Sequence, residues 1–114
     1  MTIKELIEII DGQMVCGNPD SSHEVNEAFA SDLMSDVLTL DHLNPLLITG
    51  LSNLQTIRTA EMADIRVIVL ARGKKATEEM IELATEHGMT LIETPFSVFR
   101  TSGMLYQHGI KPIY

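Results

Sequence analysis

The sequence predicts an α/β fold of three layers, a mostly parallel central sheet with flanking helices. Three short hydrophobic runs carry that expectation, at residues 46–49 (LLIT), 66–70 (RVIVL) and 90–92 (TLI). Each has the length of a buried strand, ends in small or polar residues and precedes an amphipathic helical stretch. The middle run is dominated by β-branched residues, as a central parallel strand requires. Strands alternating with helices imply right-handed crossovers and a parallel sheet.

The elements follow in order along the chain. Thr2-Ile3-Lys4-Glu5 has the form of a capping box, and Ile3, Leu6, Ile7 and Ile10 then mark one helical stripe. Asp11-Gly12 ends that helix. Residues 13–16 read as a strand, 17–22 as a turn-rich loop and 24–30 as a second strand. Helical spacing returns over residues 31–43, with Leu33, Val37 and Leu40 on one side, until Asn44-Pro45 closes it. After the strand at 46–49, Ser52-Asn53-Leu54-Gln55 repeats the capping-box logic before a helix reaching about Ala63. Thr77 caps the next helix, whose Met80, Leu83 and Ala84 face inward, and His87-Gly88 ends it. Thr94-Pro95 is expected to open the last helix, with proline in the first helical position. That helix runs through Phe96, Phe99 and Met104 to about His108-Gly109.

Composition bounds the function. The 114 residues make one domain, 1–114, with room for one core. Aromatic residues are few, three Phe and two Tyr, so the core must be mainly aliphatic. The lone cysteine, Cys16, has no internal disulfide partner and no zinc-type spacing around it, which favours a reducing cytoplasm. Lys4, Glu5 and Glu8 interrupt the first helix too often for a signal peptide, and no apolar run approaches the roughly 18–20 residues of a membrane span.

The net charge of −8 falls wholly on residues 1–49, which hold nine acids and one base; residues 50–114 balance. Such a chain repels phosphate backbones and anionic lipid, so nucleic acid and membrane are rejected as partners. The acidic half serves solubility or docks a basic protein surface.

The familiar catalytic patterns do not occur: no phosphate loop, no G-x-G-x-x-G, no G-x-S-x-G elbow and no H-E-x-x-H. Cys16 reads as a buried structural thiol. His87 and His108 each precede a glycine at a helix end, where histidine suits the helix dipole. Glu78 and Glu79 favour a helix start in the same way. No enzyme, metal or cofactor is expected.

One cluster stands apart. Arg72-Gly73-Lys74-Lys75 is the only basic run and lies just past the central strand. In an open α/β sheet, ligands bind outside the carboxyl ends of the strands. The loops there supply Gly50, Ser52 and Asn53, then Arg72, Gly73 and Lys74, then Thr94 and Ser97. Gly73 would let backbone N–H groups approach an anion, with a helix start close behind. These eight residues form the candidate site for a phosphate or carboxylate. In the competing reading the lysines decorate an exposed loop and the hydroxyls are helix caps.

The run LLITGLSNLQTIRTAEMADIRVIVLARGKKATEEMIELATEHGMTLIETPFSVFRTSGML resembles a DRTGG domain, and the likeness extends back through AFASDLMSDVLTL. Such modules occur beside the catalytic domain of some phosphotransacetylases and between the CBS domains of some inorganic pyrophosphatases. The layout is also similar to the N-terminal, non-catalytic domain of HPr kinase/phosphorylase, whose ATP-binding loop lies in a separate domain. Thr49-Gly50 keeps the family pattern, as do Thr94-Pro95 and Phe96. Leu51-Ser52 stands where Asp-Arg is expected, and Ala71-Arg72-Gly73 where Thr-Gly-Gly is expected. A charged contact that relatives make through the Asp-Arg pair is therefore lost here or moved to Arg72.

The resemblance implies a stand-alone regulatory or sensory module, usually a homodimer, that binds a small molecule or another protein. Its methionines and the aliphatic residues of the first and last helices suit a dimer interface. Two readings follow. In one, the three loops bind a small anionic ligand such as a nucleotide or phosphometabolite. In the other, the pocket is vestigial and the acidic half docks a protein partner, as relatives encoded with bacterial redox or hydrogenase systems suggest.

Overall fold

The structure is a computed structural model describing residues 1–41 and 44–114. Its elements are α1 (Ile3–Ile9), β1 (Gln13–Cys16), β2 (Glu27–Ala30), α2 (Met34–Val37), β3 (Leu46–Thr49) and α3 (Leu54–Met62). Then come β4 (Val67–Leu70), α4 (Glu78–Glu86), β5 (Thr90–Glu93), α5 (Val98–Gln107) and β6 (Lys111–Pro112). The strands form one sheet in the order β1-β5-β4-β3-β2-β6. All neighbours are parallel except β1, which runs antiparallel to β5.

Handedness explains the layers. From β2 to β5 the chain steps across the sheet one strand at a time. Right-handed crossovers therefore place α2, α3 and α4 on one face. From β5 it returns to the far edge as β6, so the same hand puts α5 on the opposite face, beside α1. Burial confirms this division. Leu47, Ile68, Leu70 and Leu91 pack with Val37, Ile57, Met80 and Ala84 on the first face. Leu46, Ile48, Val69 and Ile92 pack with Ile3, Leu6 and Leu105 on the second. Every residue of β3, β4 and β5 is buried, which is why these strands read as unbroken apolar runs.

Capping chemistry sets most helix ends as expected. Thr2 and Glu5 form the full capping box of α1, Thr77 caps α4, and His87 and His108 are the C-caps of α4 and α5. Four expectations shift. The α3 cap is Asn53 rather than Ser52, its side chain accepting from Thr56 N. Helix α5 opens after Ser97, whose hydroxyl accepts from Arg100 N. Thr94-Pro95 precedes it in the loop, because the Thr94 hydroxyl is engaged with Ile10 O. Helix α2 keeps only one turn, with Leu33 exposed at its N-cap; the rest of the expected helix reaches His42 and Leu43, which lie outside the described residues. Strand β6 was not expected at all.

Candidate functional site

Register places Thr49, Leu70 and Glu93 side by side at the C-terminal edge of β3, β4 and β5. The loops leaving them, with the one leaving β2, form the surface where an α/β sheet offers a site. Between β4 and β5 the chain leaves toward opposite faces, so a crevice is expected there. Here it is closed by hydrogen bonds. Arg72 N donates to Phe96 O at 2.7 Å and Gly73 N to Thr94 O at 3.0 Å. Lys74 N turns back to Ala71 O at 3.3 Å. The backbone N–H groups expected to receive an anion are thus already used.

Other candidate residues act in the same bracing. The Thr94 hydroxyl donates to Ile10 O at 2.6 Å and accepts from Phe96 N at 3.2 Å, tying the β5 loop to the end of α1. The Ser52 hydroxyl donates to Lys75 O at 2.5 Å and so joins the β3 and β4 loops. Asn53 and Ser97 spend their side-chain oxygens as caps. Glu93, 7% exposed, was not a candidate from the sequence. Its carboxylate accepts from Ala76 N at 2.7 Å and lies 3.4 Å from the Lys75 ammonium.

A cluster of charged side chains lies one strand over. Asp32, in the loop after β2, accepts at one carboxylate oxygen from Gly50 N at 2.6 Å and the Thr49 hydroxyl at 3.0 Å. The Arg72 side chain approaches the same glycine. A Cβ added to Gly50 would lie 3.2 Å from Arg72 Nε and 3.3 Å from Asp32 Oδ2. Its φ is ordinary, so it is this close approach, rather than the backbone, that favours glycine there. Arg72 and Asp32 nonetheless form no ion pair, and among the described residues Arg72 has no side-chain partner. Arg72 also holds a left-handed backbone, φ 66°, an uncommon conformation for a residue with a side chain and one that clusters at functional sites. Gly73 continues the turn at φ 71°. Lys74 is exposed beside it.

Of the eight expected residues, then, Gly50 and Arg72 meet at one notch and Lys74 lies exposed on the same loop as Arg72. Ser52, Asn53, Thr94 and Ser97 brace the loops, and Gly73 shapes the turn. Asp32 was missed. The only available signal was a carboxylate just past a predicted strand, and it was masked by eight other acids in the same half. Cys16 is buried, its thiol 3.3 Å from both Met89 O and the Thr85 hydroxyl, as a structural thiol should be. Among the described residues no cluster of His, Cys, Asp and Glu could hold a metal. No described helix is long and apolar enough to cross a membrane.

The fold and this edge define a doubly wound α/β module whose polar loops meet at the carboxyl ends of parallel strands. Comparison with known proteins makes the class specific. The DRTGG domain model matches residues 5–108, so the chain belongs to the DRTGG domain family. A search of curated proteins finds no match by sequence. Among solved structures it is similar to the CBS and DRTGG domains of the regulatory region of Clostridium perfringens pyrophosphatase, complexed with its activator, diadenosine tetraphosphate. The TM-score is 0.78 at 16% identity, covering 93% of this chain and 46% of that one. This chain therefore spans about half of that regulatory region, and the likeness shows the shared fold.

Proposed function

We propose that this chain is a non-catalytic regulatory module that binds a small anionic ligand, nucleotide in class, at the notch between Asp32, Gly50 and Arg72. One observation carries the reading: an exposed guanidinium lying against a glycine, with no carboxylate bonded to it. An arginine so placed offers forked donors to a phosphate or carboxylate, and Lys74 adds a second cation. The pyrophosphatase regulatory region of the same fold takes a polyphosphate dinucleotide as activator, which supports the ligand class. The test is a thermal-shift panel of nucleotides and phosphorylated metabolites, including diadenosine tetraphosphate. A ligand at 100 times its Kd stabilises the native state by about 2.7 kcal/mol, a shift of several degrees. The hit should vanish in Arg72→Ala at unchanged intrinsic Tm. A hit that Arg72→Ala leaves intact would contradict the reading.

A second reading has its own support. Leu33 and Leu38 are exposed at 58% and 47% on the segment that carries Asp32 and Asp36. Apolar side chains among acids suit a basic protein partner that covers them. On this reading neutralising Asp32, Asp36 and Asp41 abolishes salt-sensitive association while ligand panels stay silent.

A further inference from the structure

A groove of about 290 Å³ lies between the outer strands β2 and β6 and the flank of α5, remote in sequence from the Arg72 loop. It is near the lower end of the size usual for small-molecule pockets and is walled mainly by apolar groups. Its lining is unusual for this chain. The whole sequence holds only five Phe and Tyr residues, and three of them, Phe29, Tyr106 and Tyr114, line this groove. Phe29 and Tyr114 meet edge to face, centroids 6.1 Å apart at 68°. Tyr106 and Tyr114 otherwise leave most of their surface to solvent, at 67% and 81% exposure. Aromatic faces gathered around a cleft favour an aromatic guest, which gains offset or edge-to-face contacts that an aliphatic chain does not.

Two polar groups complete it. Ser102 lines the groove, and its hydroxyl is shielded from solvent with no hydrogen-bond partner. A helical hydroxyl normally bonds back to the preceding turn, as Thr85 does to Ile81 O at 2.7 Å. Ser102 does not, and a buried polar atom left unpaired calls for a missing partner. The residue as a whole is half-buried at the groove wall, so the partner the proposal assigns to this hydroxyl is a guest that draws it toward the groove by a change of χ1. At the rim, Lys111 is exposed and pairs with no carboxylate among the described residues.

We propose that this groove binds a planar aromatic acid. The ring lies among Phe29, Tyr106 and Tyr114, a ring heteroatom accepts from the Ser102 hydroxyl, and the carboxylate meets Lys111. The site shares no residue with the Arg72 notch and stands independently of it.

The test is an NMR titration of the full chain with quinoline-4-carboxylate, its carbocyclic analogue 1-naphthoate, and octanoate. The proposal expects saturable shifts at residues 28–30, 102–106 and 110–114, unchanged in Arg72→Ala. The quinoline should bind about fivefold more tightly than the naphthoate, the worth of one hydrogen bond. That preference should disappear in Ser102→Ala, and Tyr106→Ala should weaken both rings about tenfold or more. Three results would overturn it: no saturable shifts there, octanoate binding as tightly as the rings, or the same resonances moving with protein concentration alone. The last would make the groove a contact between copies of the chain.

Discussion

Arg72 Nε and the Asp32 carboxylate both lie against the place a Gly50 Cβ would take, without closing into an ion pair. The Asp32 carboxylate is held by Gly50 N and the Thr49 hydroxyl, whereas Arg72 is fixed only at its backbone, by the bond from its N–H to Phe96 O, and its side chain is exposed. The two charged groups come from different loops, and together they occupy the space a Gly50 side chain would need.

Gly50→Ala tests that space. Its φ tolerates alanine, but the new Cβ would press on Arg72 Nε at 3.2 Å and Asp32 Oδ2 at 3.3 Å. Both are ends of movable side chains, so the stability cost should stay within about 1 kcal/mol. Anionic-ligand affinity should nevertheless fall about tenfold or more as the guanidinium is displaced. Urea denaturation and calorimetric titration measure the two effects separately, and equal affinity would show that the notch is not the site.

Thr94→Val keeps the shape of a buried residue but removes a hydroxyl that serves two loops. Ile10 O and Phe96 N each lose a partner. Leaving buried backbone groups unpaired costs about 1–3 kcal/mol each in full burial. A loss of about 2 kcal/mol in urea denaturation is expected, with a wild-type m value.

Glu93 separates a hydrogen bond from a charge. Lys75 is exposed on its side of the pair, 74%, so the ion pair itself should contribute little. The bond from Ala76 N is made in a largely buried setting. Glu93→Gln should therefore cost well under about 1 kcal/mol, whereas Glu93→Ala should cost about 2 kcal/mol. Thermal denaturation of both variants distinguishes them; equal losses would shift the weight to the charge.

Much of this fold was legible in the sequence because its central strands are buried on both faces. β3, β4 and β5 had no polar alternation to confuse with helix, and Thr2, Thr77 and Gly88 punctuate the helices with ordinary cap chemistry. β6 was not legible, since Lys111-Pro112 forms two rungs only where the crossover of α5 delivers it beside β2. The start of α5 differs because Thr94-Pro95 carries a cap signature, yet the Thr94 hydroxyl is recruited by Ile10 O at the end of α1. The candidate site shows the same division. Arg72 and Gly50 were readable from strand ends, but which N–H groups were already spent, and which acid faced Arg72, depended on contacts between distant loops.

The most direct test of the account is where a ligand binds. ¹⁵N-labelled protein titrated with diadenosine tetraphosphate should show saturable amide shifts at residues 31–33, 49–53 and 71–75, and Arg72→Ala should erase them. Saturable shifts confined to another surface, with those three loops silent, would contradict the assignment of the Asp32–Gly50–Arg72 notch.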